Sequence, residues 1–496
     1  MPGAEAGGSG TRPNLLLITT DQQRHETVGP GSPSFLRTPH LDQLSREGVR
    51  FGRAYAQTPI CVPSRVSLMT GQSPLRHGMT WNGPSTAVMG RADTLPSLLR
   101  ARGYATAAIG KMHFSPQRAR HGFDEMILPE DYYTWIRESG SPWQPMRHGL
   151  GQAELYPTTS TVPESLSLTS WTAERCVSYI RDRRDPTCPF FLWASFSKPH
   201  PPLDPPEPYA SMYRDAPIPR PVIGAWSEAD TCPEVFARHR QRDSYDLMPP
   251  EVVEAARAAY YGLVTHVDYV IGRILAALLD VGLFDETLIL FTSDHGEFLG
   301  DHHAGGKVMF HEPSSRVPLI LRPPKSWAGF PRGGESRELV THSDVLPTLL
   351  AASGAAEMPA DRDGMDLLDL SRGRQGRDRL TGVAMERMHS ARVPTYLALV
   401  EQRWKYIWYP EGPTEQLFDL ANDPDELVDL SAAGESQTHR ARLYGQLLER
   451  VAKARPDWVA DGRLVREPPR GDPESHRRIS GWVSYHTERT DLDVRH

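Results

Sequence analysis

The sequence predicts an α/β fold, with a large, mostly parallel sheet sandwiched by helices and then a smaller C-terminal α+β domain containing a short antiparallel sheet. Three observations carry this. Short apolar runs alternate with helical stretches over most of the chain, as parallel strands joined by crossover helices require. Polar and charged residues cluster just behind several of those runs, where open α/β sheets bind their ligands. Beyond about Gly373 the alternation gives way to closely spaced short strands and one amphipathic helix.

The elements follow in order. Asn14 to Thr19 is a continuous apolar run, a strand buried on both faces, ending at Thr20-Asp21-Gln22. Thr38-Pro39 opens a helix with Leu41 and Leu44 on its apolar side, and Thr94-Leu95-Pro96 opens another that Gly103 stops. Tyr104 to Ile109 is a strand ending at Gly110-Lys111-Met112-His113. Thr169 to Arg183 reads as a helix, and Phe190 to Phe196 as a strand ending at Ser197-Lys198-Pro199-His200. Ala216 to Met248 is Pro-rich and irregular, an insertion of the kind that shapes pockets. A long helix covers Pro250 to Leu279, and Thr287 to Thr292 is a strand ending at Ser293-Asp294-His295-Gly296. Val317 to Leu321 is a strand and Ser343 to Ala352 a helix. Thr395–Val400, Lys405–Tyr409 and Gln416–Asp419 are short antiparallel strands, and Gln437 to Ala454 is an amphipathic helix. The expected division is a flexible start (1–12), a catalytic α/β domain (13–373), an α+β domain (374–462) and a polar tail (463–496).

Composition excludes some classes. The formal charge of -7 gives no general attraction to nucleic acid or anionic membranes, so an anionic substrate needs a local cluster of cations. No run approaches the roughly 18 consecutive apolar residues of a membrane span. The stretch from Met1 to Arg12 has no apolar core of the kind a secretory signal needs, which makes the cytoplasm the expected address. The four cysteines (Cys61, Cys176, Cys188 and Cys232) form no C-x-x-C pair and no dense disulfide scaffold, with a Cys176–Cys188 bridge as the one pairing to check.

Several of these segments carry chemistry. A lone cysteine ahead of a helix is ordinarily a small buried hydrophobe. In Thr58-Pro59-Ile60-Cys61-Val62-Pro63-Ser64-Arg65, however, Pro63 and Ser64 suit a helix start, placing Cys61 where backbone N–H groups converge and Arg65 one turn in, ready to hold an anion. Asp21 and Asp294 taken singly are ordinary turn or cap residues. Together, at the ends of two neighbouring strands, they can hold a hard divalent cation: oxygen ligands favour Ca²⁺ or Mg²⁺, and the His295 nitrogen admits Mn²⁺.

The run from Cys61-Val62-Pro63-Ser64-Arg65 through Leu68-Met69-Thr70-Gly71 resembles the sulfatase family, whose Cys-x-Pro-x-Arg signature is read by a formylglycine-generating enzyme. The resemblance implies that Cys61 is oxidised to formylglycine, whose hydrate attacks sulfur with one hydroxyl and expels sulfate with the other. It assigns a divalent metal, Ca²⁺ first, to Asp21, Gln22, Asp294, His295 and an oxygen from position 61. In Gly110-Lys111-Met112-His113 it makes Lys111 a cation for the sulfate oxygens and His113 the base beside the formylglycine. His200 becomes a sulfate contact and proton donor, and Lys307 a contact to sulfate and leaving oxygen. His302, His303 and His311 are read as surface histidines, and Gln416 to Glu426 as a structural strand and turn. Seven such segments run in the family's order from about residue 13 to 455.

Two positions depart from the commonest pattern: Gln22 stands where many sulfatases have Asp, and His295 where they have Asn. Both resemble the choline-sulfatase and phosphonate monoester hydrolase branches. The implied activity is therefore hydrolysis of a small-molecule or saccharide sulfate ester, with phosphonate monoester or phosphodiester hydrolysis on the same scaffold as the alternative. An inactive ligand-binding relative ranks below both, because every site group is present. Trp81-Asn82-Gly83, Tyr132-Tyr133 and Trp226 are expected around the leaving group, and the polar tail is long enough to wrap a second subunit in a homo-oligomer.

Overall fold

The computed structural model describes residues 12–151, 154–229, 232–243, 245–384, 394–412 and 414–466. The start up to residue 11 and the tail from residue 467 lie outside these. The main sheet contains β1 (Asn14–Asp21), β2 (Val49–Tyr55), β3 (Ala105–Gly110), β4 (Glu125–Ile127), β5 (Phe190–Pro199), β6 (Thr287–Ser293), β7 (Arg316–Val317), β8 (Leu319–Arg322) and β9 (Gly334–Thr341). Its order is β4-β3-β5-β1-β6-β8-β2-β7, with β9 beside β2. The pairs β3–β4, β3–β5, β1–β5, β1–β6 and β2–β9 are parallel. The pairs β6–β8, β2–β8 and β2–β7 are antiparallel, so the sheet is mixed on one side.

Alternation along the central strands divides two cores. Leu15 and Leu17 of β1, Phe191 and Trp193 of β5, and Leu288 and Leu290 of β6 face helices Cys61–Thr70, Leu95–Ala101 and Val345–Ala352. Leu16, Ile18, Leu192, Ala194, Ile289 and Phe291 face helices Pro39–Glu47, Leu168–Ser178 and Pro250–Asp280. This is why the strands read as unbroken apolar runs.

The short strands β10 (Arg379–Ala384), β11 (Tyr396–Glu401), β12 (Trp404–Trp408) and β13 (Glu415–Asp419) form the antiparallel sheet in sequence order. Leu397, Leu399, Tyr406 and Leu417 pack on Leu443, Leu447 and Val451 of helix Gln437–Ala454. The opposite face, with Ala398, Val400, Ile407 and Phe418, packs on Tyr55, Ile60, Phe298 and Phe310 from the main body.

Some expectations are corrected. The strand expected over Val317 to Leu321 is two pieces, broken at Pro318, which has no N–H for the ladder. The helix expected to Arg183 is α-helical only to Ser178 and finishes in a wider turn over Tyr179–Arg183. The insertion contains a helix, Glu234–Asp243. Arg463 and Leu464, expected in the tail, pair with Val459 and Ala460. Cys176 and Cys188 are free thiols.

Candidate active site

Parallel pairing of β1 and β6, with Thr20 opposite Ser293, brings Asp21 and Asp294 together at the carboxyl ends of adjacent strands. Helix Cys61–Thr70 points its N-terminus at them. It starts at Cys61 itself, earlier than the sequence suggested, after extended Ile60. All ten helix residues are buried. The Val62 N–H is held by Asn82 Oδ1 at 3.0 Å, and the far end closes on Gly71, whose φ of 65° is the left-handed conformation that favours glycine.

Asp21, Cys61, Asp294 and His295 are fully buried and offer ligand atoms that lie within 4.8 Å of one another. His295 Nδ1 donates to the Gly296 carbonyl at 3.0 Å, which turns Nε2 toward Cys61 Sγ at 3.2 Å and toward Asp294 Oδ1 at 3.5 Å. Burial and the Asp21 charge raise the Asp294 pKa, against the pull of His295 and Arg65. Burial also works against ionisation of Asp21, yet Lys111, His200, Lys307 and His295 hold it well below the usual carboxylate range. Two buried carboxylates that repel each other, plus an imidazole nitrogen turned toward them, are a donor set that fits a divalent cation.

The cations form a second layer. Arg65 donates through Nε to Asp294 Oδ2 at 3.0 Å and through Nη1 to Ser195 Oγ at 2.9 Å and the Lys111 carbonyl. Lys111 Nζ meets Asp21 Oδ2 at 2.5 Å. Its approach depends on Gly110: φ is 99°, and a Cβ there would stand 2.0 Å from the Ser195 carbonyl oxygen. Lys307 Nζ donates to Gln22 Oε1 at 2.6 Å, while Gln22 Nε2 donates to Glu297. The Gln22 oxygen therefore faces Lys307. Burial and Asp21 oppose ionisation of the Cys61 thiol, but Lys307, Lys111 and His295 outweigh them and pull its pKa well down, so the site favours negative charge at position 61.

A cavity of about 330 Å³ opens beside this cluster, and Lys111, His113 and His200 line it together with Met112, Phe114, Tyr132 and Tyr133. His200 Nδ1 pairs with the Pro201 carbonyl at 2.8 Å, and burial together with Lys307 and Lys111 pushes its pKa well below the usual imidazole value. The Nδ1 contact leaves Nε2 as the nitrogen available to a ligand. His113 lies on the exposed wall, and no hydrogen bond joins it to Cys61.

Of the residues expected around the leaving group, Tyr132 and Tyr133 line the cavity. Trp81 and Trp226 instead pack in the core beneath the C-terminal sheet. His302 and His311, expected at the surface, are buried there too, with Trp226 stacked on His311 at 4.9 Å. Only His303 retains surface exposure, paired with Glu228. The sequence reading gave no role to Ser195 or Glu297. Glu297 stands in the quoted Ser293-Asp294-His295-Gly296-Glu297 run, and its Oε1 also accepts the Leu299 N–H.

Comparison with known proteins agrees with this architecture. The profile named Sulfatase matches residues 13–355, and a profile for the C-terminal part of N-sulphoglucosamine sulphohydrolase matches residues 300–453. An arylsulfatase of Clostridium perfringens is 32% identical over 92% of this chain and 97% of its own length. A choline-sulfatase of Rhizobium meliloti is 30% identical over 87% of this chain and 85% of its own. The crystal structure of the phosphonate monoester hydrolase of Agrobacterium radiobacter superposes with a TM-score of 0.78 at 27% identity, covering 92% of this chain and all (100%) of that one. The chain belongs to the sulfatase family of sulfuric ester hydrolases.

Proposed function

We propose that this protein hydrolyses a small sulfate monoester with a formylglycine made from Cys61 as nucleophile. The observation that carries the reading is the convergence of Cys61, Asp21, Asp294 and His295 at one helix N-terminus, ringed by Arg65, Lys111 and Lys307. Since helix Cys61–Thr70 is buried throughout, conversion by a formylglycine-generating enzyme has to precede folding. The hydrated aldehyde supplies one hydroxyl to attack sulfur and a second to expel sulfate. Asp21, Asp294 and His295 would hold a divalent cation, with Ca²⁺ as the first choice, which would supply Lewis acidity at position 61.

The chain's own groups do the rest. Lys111 and Lys307 meet the charge that grows on the SO₃ oxygens, and Arg65 fixes Asp294 while adding its own positive field. Lys307 is the proton donor to the leaving oxygen. His200, with Nδ1 committed to the Pro201 carbonyl, meets sulfate or the leaving group through Nε2. His113 takes the proton of the second hydroxyl. His113→Ala is therefore expected to cleave one ester per site and then stall, giving a burst of alcohol and steady turnover lower by about 10²- to 10⁴-fold. Rapid-mixing measurements with a chromogenic sulfate check this.

A second reading, phosphonate monoester or phosphodiester hydrolysis, is favoured by the similarity to the Agrobacterium radiobacter enzyme and by Gln22 and His295. Turnover of sulfate, phosphodiester and phosphonate esters of the same leaving group separates the two. Sulfate is expected to have the highest kcat/KM, and a preferred phosphodiester or phosphonate would replace this reading with the second.

A further inference from the structure

We propose that Lys198 is a positioning residue for this reaction, the internal scaffold of the loop that presents His200; the proposal rests on the role given to His200 above. From Lys198 to Pro206, five of nine residues are proline, so most of the loop has no N–H to give. Such a loop cannot close on its own backbone hydrogen bonds. Its base is pinned from outside, by the Thr158 N–H to the Leu203 carbonyl at 2.9 Å and the Ser160 N–H to the Pro205 carbonyl at 3.1 Å.

The tip is held differently. Lys198 Nζ donates to the carbonyls of His200 at 3.3 Å and Pro202 at 2.6 Å and pairs with Asp204. An ammonium has three protons, and these three partners consume them all. Although Lys198 lines the cavity, it therefore has no donor left for a substrate. The second Asp204 oxygen receives the Nε2 proton of His148 at 3.2 Å, a tautomer fixed by the Leu150 N–H donating to His148 Nδ1 at 3.0 Å. All three side chains are largely shielded, at 18%, 11% and 7% exposure for Lys198, Asp204 and His148. Burial works to raise the Asp204 pKa, but Lys198 and His148 hold it down, so the clamp stays ionic. It ties the His200 loop to the neighbouring segment that carries His148.

A double-mutant cycle on the mature enzyme tests this. Lys198→Met is expected to lower kcat about 10- to 100-fold, the scale of a roughly 1 Å misplacement. In a His200→Ala background the same change is expected to cost no more than about twofold, because the residue it positions is gone. Unchanged kcat in Lys198→Met, or the same loss in both backgrounds, overturns the proposal. Should Lys198→Met fail to fold, Asp204→Asn keeps both carbonyl bonds, weakens the clamp, and is judged by the same cycle. Should His200→Ala retain full turnover, the role of His200 is wrong, and a crystal structure of Lys198→Met decides the clamp alone: a displaced 199–204 loop supports it, and an unmoved loop overturns it.

Discussion

Cys61→Ala is expected to lower kcat/KM by on the order of 10⁴- to 10⁶-fold, the loss seen when a covalent nucleophile is removed, with the folding transition essentially unchanged. The substitution keeps Cβ and deletes one sulfur, whose polar neighbours are His295 Nε2 at 3.2 Å and Asp21 Oδ1 at 3.9 Å. Neither anchors the helix: its start is held by Asn82 on the Val62 N–H and its end by the Gly71 turn. Asp21, Asp294 and His295 are untouched, so the variant is expected to retain metal. Steady-state kinetics, a thermal melt and metal analysis check the three parts, and a variant that turned over within tenfold of the parent would show that position 61 is not the nucleophile.

The largest stability effect is expected far from the chemistry. Lys405 on β12 is fully buried, with Nζ 2.7 Å from both Glu312 and Glu426 and 2.9 Å from the Phe310 carbonyl. It joins the C-terminal sheet to the turn before β7 and to the loop after β13. Burial acts against both carboxylates; Lys405 and Arg316 hold Glu312 down at about 2, while Glu426 is raised to about 7. Lys405→Met fits the space but leaves Glu426 without its cation and Glu312 with Arg316 alone, and is expected to destabilise by about 3–5 kcal/mol in denaturant unfolding.

The deficit depends on pH in a fixed direction. In the parent, the stabilisation from the depressed Glu312 is present above its unfolded value near 4.5 and is lost as pH falls toward 2. In the variant both folded-state carboxyls titrate higher than in the parent, Glu426 furthest above its unfolded value, and the penalty is relieved as they protonate. The gap between parent and variant is therefore expected to be widest near pH 8 and to narrow toward pH 4.

What the sequence made legible follows physical lines. Strands β1, β5 and β6 were readable because burial on both faces leaves an unbroken apolar signature. β2 and β9 were not readable: Val49-Arg50-Phe51-Gly52-Arg53 and Gly334-Glu335-Ser336-Arg337 carry charge at the sheet's margin, where arginine and glutamate partners are within reach. Cys61, Asp21, Asp294, Lys111 and His200 stood at strand or helix ends within distinctive runs, and the fold gathers them. The partner of Gln22 was not legible, because only tertiary structure brings Lys307 and Glu297 to its two amide atoms. Lys405 was equally hidden. It alternates with Trp404, Tyr406 and Trp408, so it reads as a solvent-facing position, whereas that side of β12 packs on the main body.

The most direct test is the mass of the peptide carrying Cys61, taken from active enzyme. The expected result is loss of the sulfur and two hydrogens with gain of one oxygen, the change from thiol to aldehyde, in a fraction that rises with specific activity from one preparation to the next. Fully active enzyme whose Cys61 peptide carries an intact thiol would contradict the account.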